Sequence, residues 1–217
     1  MTSGGSAAER RSTALLTRNA GALARSAERP LIRRMADGTV TDAEYARYLA
    51  IEQRFVRTAA RLLGFCVWRE PDWDAAVVHA RSLAGLVGEQ TDYFAARVTA
   101  PVSLPAGADA LEVVVTAALD SGYPAVLTCL CAAETFYSRW CLEAVRSHGG
   151  TPTGPAAEWI LLHATPSFTA QATFLQSRVD EIDPTVPDAH LDLWFGRMLA
   201  AEDTFHDSAL IKEDTHD

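Results

Sequence analysis

Three glutamates stand where charged side chains rarely stand. Tyr45, Tyr48, Glu52, Phe55, Ala59 and Leu62 follow one another at spacings of three and four, which places them on one stripe of a helix. Glu52 sits inside that apolar stripe. Near the C-terminus Leu191, Phe195, Met198, Glu202, Phe205 and Ala209 form a second stripe, with Glu202 inside it. The third case is Glu134 in "TCLCAAETFYSRW" (residues 128–140), with Leu127, Leu130, Cys131, Tyr137 and Cys141 on its own side. A carboxylate on the inward face of a helix is costly unless it is partnered or used.

Any one of these residues could be the structural partner of an arginine or a helix cap. Three on three helices, each with an aromatic three positions on (Phe55, Tyr137, Phe205), point instead to one shared pocket. Clustered carboxylates cannot all ionise cheaply, so at least one should hold a proton near neutrality. That supplies an acid and a base in one site. The flanking aromatics would form flat walls suited to a heteroaromatic ring. A di-metal centre is the competing use of a carboxylate-rich helical core, but it asks for Glu-x-x-His pairs. Glu52 and Glu134 have no His three or four residues on, and Glu202 has His206 only at the fourth. No metal or other cofactor is therefore expected. No G-x-S-x-G, P-loop or G-x-G-x-x-G occurs in the sequence.

The elements that must position these residues are helical throughout. After a polar N-terminal dozen, expected to be a disordered tail over 1–12, apolar residues recur at period 3.6. One stretch runs from about Thr13 to Met35 with a break near Pro30. Thr41 with Glu44 makes a capping box for a helix reaching about Phe65 or Trp68. Asp72 can cap a long helix to about Val98. Further helices are expected to about Leu119, from the "DSGYP" break to about Val145, to His163, from Thr165–Pro166 onward, and from Asp188 to Ile211. No strand pattern, repeat or long linker appears. The expectation is one all-α domain over 13–212, a helical bundle of about eight helices.

Composition narrows the partners. The chain has 217 residues, is 48% hydrophobic and carries a net charge of −9, with Lys212 its only lysine. The arginines are scattered and form no basic stripe, which argues against nucleic acid. The four cysteines (Cys66, Cys129, Cys131, Cys141) form no C-x-x-C and lie among apolar residues, as reduced core thiols do. "MTSGGSAAERRST" lacks the apolar core of a signal peptide, and no apolar run reaches the ~18 residues of a membrane span. A cytoplasmic protein with no membrane partner is expected.

Several segments resemble the TenA/thiaminase II family. "MADGTVTDAEYARYLAIEQRF" (residues 35–55) is similar to its opening motif, and "AAEDTFHDSA" (residues 200–209) to its closing one. The resemblance spans roughly residues 30 to 210. It implies the haem-oxygenase-like fold and hydrolysis at the aminomethyl carbon of an aminopyrimidine, a thiamin-salvage reaction. It places the pyrimidine-binding acid on Glu52, a ring-stacking aromatic on Phe55 and the C-terminal catalytic acid on Glu202. The family's catalytic Cys falls on Glu134. Glu134, Tyr137 and Trp140 match a second branch with Glu at that place. His163 and Phe168 in "LLHATPSF" resemble a segment of the same branch, with His163 where the Cys branch has a pocket Tyr.

The sequence also departs from the family. Leu111, Ile51 and His206 replace a Tyr, a Gln and a Trp, leaving one side of the pocket less polar. The resemblance implies that Glu134 and Glu202 are catalytic by acid and base chemistry, with Glu52, Phe55, Tyr137, His163 and Phe205 binding a small heteroaromatic. A homodimer or homotetramer is expected. Two alternatives stay open: a non-haem di-metal oxygenase or oxidase of the same fold, and a non-catalytic heteroaromatic-binding protein. Against the oxygenase, the last helix lacks H-x-x-x-D-x-x-H.

Overall fold

The structure, a computed structural model, describes residues 9–98 and 104–210, without the side chain of Glu89. Among the described residues it holds ten α-helices and no strand. They are α1 (Arg11–Arg18), α2 (Ala20–Ala27), α3 (Pro30–Ala36), α4 (Asp42–Arg69), α5 (Trp73–Arg97), α6 (Ala110–Ser121), α7 (Tyr123–Ser147), α8 (Ala157–His163), α9 (Pro166–Asp180) and α10 (Asp188–Ser208). No helix in the described residues is long and apolar enough to cross a membrane.

The local signals act as their chemistry dictates. The Thr41 hydroxyl accepts from the Glu44 amide at 3.2 Å while the Glu44 carboxylate accepts from the Thr41 amide at 3.0 Å, the reciprocal capping box. Asp72 caps α5 through the Ala75 amide at 2.8 Å. Thr165 caps α9, with Pro166 at its first position. Gly122, at φ +99°, separates α6 from α7, a conformation that favours glycine.

The helix count exceeds the expected eight because the N-terminal stretch is three helices. Besides the break before Pro30, the chain breaks at Asn19, whose side-chain amide donates to the Leu15 carbonyl and to Asp192 at 3.0 Å each. Asparagine offers the backbone such alternative bonds and interrupts helices. Helix α1 also begins at Arg11, inside the expected tail. The Ser12 amide is held by Asp180 at 2.7 Å and the Arg11 guanidinium by Asp188. Residues 1–8 of that expected tail and the expected end of the last helix at Ile211 lie outside the described residues.

Helix α7 is the central element. Its buried residues run from Ala125 to Ala144 on all sides, as in a helix enclosed by others. It packs on α10, α9, α6, α8 and α4. Helices α4 and α5 form a long antiparallel pair, and α5 packs chiefly on α4. Helices α4 and α10, which carry two of the glutamates, both pack on α7, which carries the third, while α5 stands off from α9 and leaves a cavity between them.

Candidate active site

Helices α4, α7 and α10 bring Glu52, Glu134 and Glu202 close enough for their charges to interact. Glu52 is 7% exposed and Glu202 1%; Glu134 is half-buried. Each keeps one buried carboxyl oxygen with no hydrogen-bond partner in the protein. Burial, with the charge of Glu134 nearby, pushes Glu52 up to about 8. Burial pushes Glu134 up to about 7. Burial and the charges of Glu52, Asp203 and Glu134 push Glu202 well above the carboxylate range. The cluster therefore holds protons at neutral pH.

Proton counting fixes the polar chain beside it. His206 Nδ1 lies 2.6 Å from the Glu202 carbonyl oxygen, so that nitrogen must carry a hydrogen. Burial pulls His206 down to about 3, so its ring is neutral and Nε2 is an acceptor. The Tyr137 hydroxyl, 3.2 Å away, donates to it. The Tyr48 hydroxyl, 3.0 Å from that of Tyr137, donates in turn. Tyr48 lies one turn before Glu52 on α4, and its own hydrogen is spent on Tyr137. Both nitrogens of His206 are engaged, so neither is left for a metal, and among the described residues no group of three His, Cys, Asp or Glu side chains has metal-holding geometry.

The cavity that meets this cluster has a volume of about 670 Å³. Glu134 and His163 lie in its wall, and Tyr93, Phe168 and Phe174 supply its aromatic surface. The His163 Nδ1–H donates to the Trp159 carbonyl at 2.8 Å. Burial pulls this imidazole down to about 4, leaving Nε2 as a neutral acceptor. Phe168 stands edge-on to His163 at 4.7 Å between ring centroids.

The structure thus brings together Glu52, Glu134, Glu202, Tyr137 and His163. Of the expected site residues only Glu134 and His163 line the cavity; Glu52, Tyr137 and Glu202 lie behind them, and Phe55 and Phe205 do not line it either. Phe205 is fully buried and packs edge-on to Tyr48 at 5.7 Å and His206 at 5.1 Å, so it buttresses the polar chain and forms no ring-binding wall. Phe55 is half-buried against the core. Leu111 and Ile51 are core residues. Tyr48 and His206 join the site through hydrogen bonds; the signal for Tyr48 was its place on the Glu52 stripe. Gln90, Tyr93 and Arg81, all in the cavity wall, lie on α5, where the sequence pattern marked no residue of the site.

All four cysteines are free and buried. Burial pushes Cys66, Cys129 and Cys131 up to about 12 each, and Cys141 well above the thiol range. Cys129 points away to the Trp194 carbonyl, at 3.7 Å. Such thiols are inert at neutral pH.

No family model and no curated relative matches the chain. Solved structures do. A TenA homologue from Pyrococcus furiosus superposes with a TM-score of 0.79 at 17% identity, covering 92% of this chain and 99% of that one. A TenA homologue from P. horikoshii OT3 gives 0.76 at 12% identity, covering 93% and 98%. A protein of Sulfolobus solfataricus P2 described as a TenA-like thiaminase gives 0.70 at 14%, covering 91% and 94%. The all-helical chain described above therefore has the fold of the TenA homologues.

Proposed function

We propose that the protein is an aminopyrimidine hydrolase of the TenA/thiaminase II family, in the branch with glutamate at the nucleophile position. The observation that carries this reading is the set of three interacting carboxyl groups, each with an orphaned buried oxygen, one of which, Glu134, lines an aromatic cavity. Orphaned acceptors and acids call for a ligand that donates and accepts at close quarters. An aminopyrimidine does both, through its amino group and ring nitrogens, and its flat face suits Phe168, Phe174 and Tyr93. That a similar fold carries the description of a thiaminase supports the same chemistry.

In the proposed reaction an aminomethyl group and water become a hydroxymethyl group and ammonia. The C–N bond breaks with its electron pair going to nitrogen. A carboxylic acid protonates that nitrogen, and water bonds to the methylene carbon while giving its proton to a carboxylate. The raised state of Glu202 suits the acid. Glu134, poised near 7 and in the cavity wall, suits the base. Glu52 would pair with the amino group and a ring nitrogen, and the Tyr48–Tyr137–His206 chain would hold the carboxyl groups in register. No step uses a cysteine or a cofactor.

Glu202→Gln tests the assignment. Ammonia release from 4-amino-5-aminomethyl-2-methylpyrimidine should fall at least ~100-fold, while binding measured by calorimetry stays within a few-fold. Unchanged turnover would refute the role of Glu202. A second reading, binding without turnover, is favoured by one observation: Glu202 is 1% exposed and does not line the cavity. Tight binding with no ammonia release from the unaltered protein would select it.

A further inference from the structure

The cavity is longer than one ring needs, and its two ends differ in charge. Its volume of about 670 Å³ lies within the ~300–1,000 Å³ of sites for drug-sized ligands. A pyrimidine at Glu134 leaves most of it unfilled. Tyr45 meets Tyr93 hydroxyl to hydroxyl at 2.9 Å, and the α4–α5 turn centres on Pro71. This register sets Glu52 level with the Leu86–Gln90 part of α5, and Leu63 level with Ala75–His79, which ends within one turn of Arg81 and Ser82. Leu63, Arg81 and Ser82 are all in the cavity wall. Arg81 therefore lies roughly 8–13 Å along α5 from the carboxylate end, at the helical rise of ~1.5 Å per residue.

Among the described residues Arg81, an exposed side chain at the cavity's edge, is the only cationic residue in that wall and forms no ion pair, unlike Arg54, Arg97 and Arg178. Beside it the Ser82 hydroxyl reaches across to the Gln171 carbonyl oxygen at 2.9 Å. The same hydroxyl stands 3.1 Å from the Val78 carbonyl; with its one hydrogen given to the shorter contact, the Gln171 amide keeps two N–H donors for a ligand. Gly85, between the two ends, adds no side chain to the floor, where a Cβ would meet nothing within 4 Å. One end thus offers carboxyl groups and a neutral imidazole, the other a guanidinium and amide donors.

We propose that the cavity takes a two-part substrate: an aminopyrimidine head at Glu134 and His163, and a phosphate ester at Arg81, joined by a spacer over Gly85 and Phe174. The proposal rests on the reading of the head site given above and adds the anionic subsite. Guanidinium and phosphate pair through charge-assisted, often bidentate hydrogen bonds.

Thiamin and thiamin monophosphate share the aminopyrimidine head and differ only at the far end, so they serve as probes. Calorimetry of the full chain at physiological salt should show the ester binding about tenfold or more tightly than thiamin. Arg81→Gln should bring the ratio of the two affinities to about one. Arg57→Gln, which removes an exposed arginine outside the cavity wall, should keep it. Equal affinities in the unaltered protein, or a preference that survives Arg81→Gln, would overturn the phosphate subsite. If thiamin binds, Glu134→Gln weakens it and the ratio is one, the head site stands and the subsite alone falls. If neither ligand binds, both fall.

Discussion

Glu52, Glu134 and Glu202 tolerate buried, unpartnered oxygens because burial holds them as acids. A carboxylate in the same place would bear the full cost of desolvation. This has a consequence for stability. Between pH 6.5 and 8 the unfolded chain has released these protons while the folded chain still binds those of Glu52 and Glu202, and that of Glu134 up to about 7, so stability falls as pH rises. Below pH 6.5 the buried neutral His163 and His206, pulled down to about 4 and 3, act in the opposite sense and offset the glutamates. The melting temperature of the ligand-free protein should therefore decline from pH 6.5 to 8, at up to ~1.4 kcal/mol per pH unit per group. Glu52→Gln should flatten the decline; a profile already flat in the unaltered protein would contradict the shared protonation. The three glutamates were readable in the sequence because each interrupts an apolar stripe. The hydrogen-bond direction through Tyr48, Tyr137 and His206 was not, since it depends on one nitrogen meeting one carbonyl.

At the scale of elements, caps and breakers were legible and contacts between loops were not. Thr41, Asp72, Thr165 and Pro166 act where sequence chemistry put them. The loop after α3 and the loop before α8 touch through two glycines. Gly38 and Gly154 have φ of +70° and +80°, and a Cβ on Gly154 would stand 2.5 Å from the Gly38 carbonyl oxygen. Gly154→Ala combines a strained backbone with a clash against main chain. It should cost about 2–3 kcal/mol, or roughly 5–10 °C in melting temperature. Gly149→Ala shares the strain, at φ +61°, but meets open space, and should cost clearly less. Equal losses in thermal unfolding would remove the clash as the cause. The same kind of contact explains Asn19: the residue type permits a helix break, but Asp192 on α10 stabilises it.

Across the whole molecule a second buried charge cluster ties the ends of helices together. The Glu70 side chain is fully buried and accepts from the Tyr123 hydroxyl at 2.6 Å and from the Arg178 guanidinium at 2.9 and 3.0 Å. Burial alone would raise this carboxyl; the bonds from Tyr123 and the Asp72 amide, with Arg178, outweigh it and hold Glu70 below its ordinary value. It is thus an ionised strut between the end of α4, the start of α7 and the end of α9. Arg178→Met would strand that charge and should destabilise the fold by ~3–5 kcal/mol in chemical denaturation. Adding Glu70→Gln should recover part of the loss; no recovery would mean the arginine acts by packing alone.

Periodicity and caps determined the helical class of this protein, most helix starts and the three carboxylates, because these signals lie within a few residues along the chain. Pairings over long separations were decided only in the tertiary structure: Glu70 with Arg178, Ser82 with Gln171, Phe205 behind the site and Phe168 beside His163. The open space between α5 and α9 was decided there too. A cavity is what two helices leave between them, and neither helix carries it in its own sequence.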